Sequence, residues 1–137
     1  GNAPLAKKLG ASVYIDSAAT KAAEELQKLG GAQAILATAP SSKAMSELFD
    51  GLAPNGKLLV IGADLEPVEV TPVQLIVGSR AVQGWASGVP ADSEDTMRFS
   101  ELTGVRAMIE TYPLEKAAEA YARMMSGKAE FRVVLTM

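Results

Sequence analysis

The stretch AQAILATAPSSKAMSELFDGLAPNGKLLVIGAD, Ala32 to Asp64, constrains the fold of this chain more than any other. It opens and closes on short unbroken apolar runs, AQAILATA and KLLVIGA. Runs of that length bounded by turn residues read as strands covered on both faces. Between them Met45, Leu48, Phe49 and Leu52 recur at the spacing of one helical stripe. Ser41 or Ser42 is placed to cap that helix, and PNG turns the chain into the second strand. Strand, helix, strand is the unit that joins two parallel strands, because a parallel return needs a crossover.

The same alternation runs through the rest of the chain. LAKKLGA reads as the end of a helix, with Leu5 and Leu9 on one face and Gly10 as a left-handed stop. Gly1 to Ala3 reads either as the continuation of something preceding or as a cloning remnant. ASVYID is expected as a strand. SAATKAAEELQKLGG is expected as a helix capped by Asp16 or Ser17. Its Ala22, Leu26 and Leu29 share a face, Glu24 pairs with Lys28, and Gly30 ends it. Thr71, Pro72 and Gln74 form a capping-box signature.

RAVQGWASG reads as a strand. DSEDTMRFSELTG reads as a helix with its acids at the positive end and Gly104 past its last turn. VRAMIETY is a strand, and PLEKAAEAYARMMSG is a helix with Leu114, Ala117, Tyr121, Met124 and Met125 on one side. EFRVVLTM is a closing strand. A helix, then strand–helix units repeated about five times, then a strand predicts an α/β fold. Its mostly parallel sheet is flanked by helices.

Composition removes several chemistries. The 137 residues include no Cys and no His. That excludes a disulfide, a thiolate nucleophile, an imidazole base, a Ser-His-Asp triad and a Cys/His zinc site within these residues. A cytoplasmic location is compatible with it. Net charge is −3 with the basic residues scattered, so no nucleic-acid partner is expected. No apolar run approaches a membrane span, and nothing reads as a secretory signal. Tyr14 and Tyr121 have no lysine four residues on, while Tyr112 has Lys116 at that spacing.

In an open parallel sheet a ligand binds at the carboxyl ends of the strands. Here those ends read ATAPSS, IGAD and GWASG. Thr38 offers a hydroxyl, Gly62 leaves room beside the main chain, and Trp85 offers a flat apolar wall. The same residues have a plainer reading. Strands end in small residues wherever a chain turns, and a tryptophan is often a core aromatic. Arg132 enters an apolar strand, where it meets a phosphate or carboxylate, faces water, or pairs with Glu130. The Met124–Met125 pair reads as core or subunit contact. The phosphate loop G-x-G-x-x-G is missing, and so is the Walker pattern. The chain therefore binds something other than a pyrophosphate, or the phosphates are held by residues outside it.

LAKKLGAS-VYID, ILATAP, LAPNGKLLVIGA and LTGVRAMIETYPLEKAAEAYARMMSGKAEFRVVLTM together resemble the carboxyl-terminal part of zinc-type medium-chain alcohol dehydrogenases. The cinnamyl-alcohol and aldehyde-reductase branch is the nearest in pattern. The resemblance implies a partial Rossmann-like fold lacking the first two strands of the nucleotide domain. Residues 1–104 would be the second half of a dinucleotide-binding domain, and 105–137 a segment returning toward a catalytic domain. It implies NAD or NADP as cofactor, and zinc in the parent protein with no ligand in this chain. It also implies an alcohol or aldehyde substrate, and a homo-oligomer, dimer or tetramer.

By resemblance, Thr38 and Ala39 stand beside the cofactor. Gly62 and Ala63, with Trp85, Ala86 and Ser87, lie against the nicotinamide carboxamide, and Arg132 reaches the pyrophosphate. Glu130 stands where the family often has a basic or neutral residue. None of these is a catalytic group, so the chain alone is expected to be inactive. Two alternatives stay open: a non-catalytic α/β binding module, and a zinc-free relative resembling quinone reductases.

Overall fold

The computed structural model describes residues 3–137. Gly1 and Asn2, part of the suspected remnant, lie outside the described residues. The chain forms two compact units, Gly1–Ser87 and Gly88–Met137.

The first unit is built on a three-stranded parallel sheet. β1 (Ala32–Ala37), β2 (Leu52–Val60) and β3 (Ala81–Gly84) lie side by side in sequence order. Ile35 pairs with Leu58, which pairs with Val82; Ala37 pairs with Val60, which pairs with Gly84. The register slips between Ala32 and Ala34, where β2 carries extra residues around PNG. Asn55 sits there at φ 60°, a left-handed conformation that asparagine tolerates. α3 (Ser42–Leu48) and a short 3-10 turn (Phe49–Gly51) return the chain from β1 to β2. Met45, Phe49, Leu52, Leu58 and Ala37 form the core, with Ile35, Val60, Val68, Val70 and Leu75 packed around it. Three members of the expected stripe, Met45, Phe49 and Leu52, are thus buried, with Phe49 at 0% exposure, while Leu48 stays half-buried outside this core.

Three of the local end signals behave as the sequence predicts. Ser41 caps α3 by accepting a hydrogen bond from the Ala44 N–H. Thr71 and Gln74 form a reciprocal capping box on α4 (Pro72–Ile76), with Pro72 in the first turn. α1 (Ala3–Lys8) is followed by Gly10 at φ +99°.

Four expectations fail in this unit, each for a physical reason. ASVYID forms no strand, because Val13 to Asp16 find no partner strand among the described residues. A strand is not a local structure; its hydrogen bonds are made by its neighbours. Neither Asp16 nor Ser17 caps the next helix. α2 (Ala22–Lys28) starts behind Lys21, and Asp16 instead closes a turn, accepting from the Ala18 N–H through Oδ1 at 3.0 Å. Lys28 pairs with Glu25 rather than Glu24, which is taken by Lys21. The apolar strands are covered on one face only. Ile35 and Leu58 face the core, while Leu36 on the opposite face remains 59% exposed.

The second unit holds a separate parallel pair, β4 (Ile109–Pro113) with β5 (Arg132–Thr136). Strands expected in one sheet are therefore divided between two. α5 (Pro90–Thr103) precedes them and ends at Gly104, which adopts the left-handed cap at φ 70°. Asp92 lies in its first turn and accepts from the Val89 N–H at 2.7 Å, the favourable end for an acid. α6 (Ala117–Met125) packs on the strand pair through Ala120, which is buried. The expected apolar side of this helix is not its buried side: Tyr121 is 61% exposed, and Met124 and Met125 are exposed as well.

Candidate functional site

Three parallel strands in adjacent register place their carboxyl ends on one rim. The rim of the first unit runs from Ala37 through Val60 to Gly84. Main-chain hydrogen bonds carry the ladder one step further. Ile61 and Gly62 both donate to the Ala37 carbonyl, at 3.0 and 2.9 Å, and Trp85 donates to the Val60 carbonyl at 3.0 Å. Thr38 and Ala39, Gly62 and Ala63, and Trp85 with Ala86 and Ser87 therefore leave three neighbouring strands at the same end. Thr38, Ala39, Ala63, Ala86 and Ser87 are exposed. Trp85 is 66% exposed, which rules out the core-aromatic reading.

Gly62 has a reason of its own to be glycine. A Cβ there would lie 2.5 Å from the Ala39 carbonyl oxygen and 2.8 Å from that of Thr38. The room beside its main chain is filled by the backbone leaving β1. Gly84 differs, because a Cβ there would meet nothing within 4 Å.

The first turn of α3 opens on this rim, and two of its N–H donors, those of Ser42 and Ala44, are already used. Asp64 Oδ2 accepts from the Ser42 N–H at 2.8 Å. Asp64 Oδ1 accepts from the Leu65 N–H at 2.8 Å and from the Glu66 N–H at 3.4 Å. The Ser42 N–H, followed by that of Glu66, holds the Asp64 carboxyl below the usual carboxylate range. The Ser42 hydroxyl donates to the Glu66 carbonyl at 2.6 Å. Sequence reasoning missed Asp64, since nothing local marks a carboxylate that closes a contact with a residue so far back in the chain.

Arg132 belongs to the second unit, at the first position of β5, paired in register with Ile109. It is exposed. The expected pairing with Glu130 is not made, and among the described residues Arg132 enters no ion pair. The segment before it is instead tied to Glu110, whose carboxylate accepts from Arg123 and from the Glu130 N–H. Arg123 first, then Glu130, pushes the Glu110 carboxyl down to about 2.

Among the described residues no three metal-ligating side chains gather. These residues do not fit a zinc site. A cavity of about 540 Å³ opens beside α2 and α3, lined by Lys21, Glu24, Glu47 and Asp50 among others. No strand-end residue lines it, so it is separate from the rim. Among the described residues no helix is long and apolar enough to cross a membrane.

Comparison with known proteins agrees with this architecture. The chain is 42% identical over 133 residues to "Alcohol dehydrogenase patD" of Penicillium expansum, covering 97% of this chain and 39% of that protein. It is 41% identical over 132 residues to "Alcohol dehydrogenase notN" of an Aspergillus species, again covering 39% of the relative. This chain thus spans about two-fifths of the length of these relatives. Among solved structures it is similar to a cinnamyl alcohol dehydrogenase of Sorghum bicolor, at 26% identity and a TM-score of 0.75. That match covers 96% of this chain and 36% of the sorghum chain. An alcohol dehydrogenase zinc-binding domain protein from Burkholderia ambifaria shares the fold at 24% identity and a TM-score of 0.84, covering 98% of this chain and 39% of that one. Residues 1–102 match the zinc-binding dehydrogenase family model, and the chain belongs to that family.

Proposed function

We propose that this chain supplies the nicotinamide-facing part of an alcohol dehydrogenase that uses NAD or NADP. One observation carries the reading: three parallel strand ends in adjacent register leave small residues and an exposed Trp85 on one rim. The family and the names of its alcohol dehydrogenase relatives support it. On this reading Thr38 offers its hydroxyl, and the main chain at Ala39 and Ala63, with the Gly62 carbonyl, offers polar groups to a planar carboxamide, the Gly62 N–H being already bonded to the Ala37 carbonyl. Trp85, Ala86 and Ser87 wall the other side. Arg132 is assigned to the pyrophosphate, as a guanidinium suits paired phosphate oxygens.

The bound nicotinamide would carry hydride to or from an alcohol or aldehyde. The chain's own part is to bind and orient that ring and to exclude water from one side of it. No step is assigned to zinc, because among the described residues no three ligating side chains gather to hold it. Residues 1–104 would be the cofactor-binding portion and 105–137 the returning segment. We further assign the protein to a homo-oligomer through the outer edge of β3, since an unpaired edge strand seeks a partner. Sedimentation showing only monomer at high concentration would remove that assignment.

Trp85 provides the direct test, because it is the chain's single tryptophan. Titration with NADH or NADPH is expected to quench its emission saturably, while an alcohol substrate alone gives no turnover. Emission unchanged by both nucleotides at millimolar concentration would overturn the reading.

A further inference from the structure

The loop that leaves β2 has no regular secondary structure, yet it is fastened at several points. Gly62 donates to the Ala37 carbonyl at 2.9 Å, which holds one end. Further on, Ser46 Oγ accepts from the Glu69 N–H at 2.9 Å, and Val68 and Val70 pack against the core. Between these anchors Ala63 is exposed and stands next to Asp64.

Asp64 is unusual in facing both ways. Its Oδ1 accepts from its own loop at Leu65 and Glu66, and its Oδ2 accepts from Ser42 in the first turn of α3. α3 already has a cap in Ser41, whose hydroxyl takes the Ala44 N–H. The Ser42 N–H is a separate orphan donor of the helix start. Ser42 is itself buried, and its hydroxyl reaches back to the Glu66 carbonyl at 2.6 Å, so loop and helix clasp each other reciprocally.

We propose that Asp64 is a positioning residue of the rim: its carboxylate clasps the loop after β2 to the first turn of α3 and so fixes the Gly62–Ala63 backbone where a ligand would meet it. Charge-assisted hydrogen bonds to main-chain N–H groups are among the stronger ones available to a surface loop. The clasp also places the chain's own negative charge on the Ser42 N–H at this helix start. The cofactor arm of this inference rests on the proposed function; the backbone arm does not.

The test compares the 137-residue chain with its Asp64→Ala and Asp64→Asn variants. Amide exchange is read by NMR at Ile61 and Gly62, whose N–H groups are bonded to Ala37, and at Leu58 in the core. Asp64→Ala is expected to speed exchange at Gly62 by about 10-fold and to leave Leu58 unchanged. Asp64→Asn keeps an acceptor for Leu65 and loses the charge, so it should fall between. It also serves if the alanine variant fails to fold. Unchanged exchange at Gly62, or equal acceleration at Gly62 and Leu58, overturns the inference, because the second is what a merely structural role gives.

In parallel, NADH is titrated against Trp85 emission. The apparent Kd is expected to rise about 10-fold in Asp64→Ala. If wild type binds and the variant binds equally well while Gly62 is loosened, the positioning role toward the cofactor fails. If wild type shows no response, the proposed function fails, and the clasp is judged on the exchange data alone.

Discussion

Arg123 grips Glu110 in a two-pronged ion pair: Nε donates to Oε2 at 2.8 Å and Nη2 to Oε1 at 2.9 Å. The same Oε1 takes the Glu130 N–H at 2.9 Å. One carboxylate thus joins β4, α6 and the approach to β5, and all three contacts favour its ionised form. Its pKa, ordinarily 4.5, is pushed down to about 2 by Arg123 first and the Glu130 amide second.

A pH dependence follows, and its sign is fixed by the direction of that shift. A carboxyl depressed in the folded state binds protons more readily when unfolded. Its stabilisation is complete above about pH 4.5 and is lost as pH falls through about 2. Urea unfolding of wild type and Glu110→Gln should show a stability gap at pH 6 that closes toward pH 2. A gap of constant size across that range would mean that the charge is not what Glu110 contributes.

Gly62 and Gly84 make a matched pair for testing how tightly the rim is built. Gly62→Ala must displace the backbone at Thr38 and Ala39, and overpacking of this kind costs about 1–3 kcal/mol. Gly84→Ala meets open space and should change stability by less than about 1 kcal/mol. Chemical denaturation of the two variants checks the contrast. Equal effects would show that the β1 exit gives way easily.

The core should respond in proportion to burial rather than to residue size. Phe49→Ala removes a fully buried ring and is expected to cost about 3–5 kcal/mol. Tyr121→Ala, on the open side of α6, is expected to fall within about 0.5 kcal/mol of wild type. A large loss in Tyr121→Ala would mean that the exposed face of α6 is covered in solution, for example by another copy of the chain.

These contrasts bear on what could be read from residues alone. Most of the stripe of Met45, Leu48, Phe49 and Leu52 (all but Leu48), the capping box of Thr71 and Gln74, and the Gly104 cap were legible, because each is decided within a few residues. The strand expected at ASVYID was not realised, because its partner must come from elsewhere. The runs AQAILATA and KLLVIGA suggested cover on both faces, and here only one face is covered. Apolar patterning records the environment a segment suits, and Leu36 shows that the chain does not itself supply all of it. Alanine-rich α6 misled in another way. Its large side chains suggested the buried side, yet close packing on the strand pair selected small Ala120.

At the rim, the strand ends were legible from turn chemistry and the parallel order. Asp64 and the Glu110–Arg123 pair were not, since each contact joins residues that only the fold brings together.

Thr71 offers a test of purely local encoding. Its hydroxyl accepts from the Gln74 N–H, and Gln74 Oε1 accepts from the Thr71 N–H at 2.8 Å. Gln74 also donates to Asp50 Oδ1 at 3.0 Å. Thr71→Ala should cost about 1 kcal/mol, and Thr71→Ser should recover most of it. Thermal unfolding of both variants separates a capping effect from the loss of a methyl group.

Trp85 separates stability from binding most cleanly. Its main-chain N–H holds the Val60 carbonyl, and that bond survives any substitution except proline. Its ring is two-thirds exposed, so Trp85→Ala should shift unfolding free energy by less than about 1 kcal/mol. If the ring is a wall for the nicotinamide, the same change should weaken NADH binding by about 10-fold, the loss expected for one aromatic stacking partner. Calorimetric titration reads binding in a variant that no longer has the fluorophore. Unaltered affinity in a folded Trp85→Ala chain would leave the rim without its most distinctive contact, and the placement of the nicotinamide against β3 would have to be withdrawn.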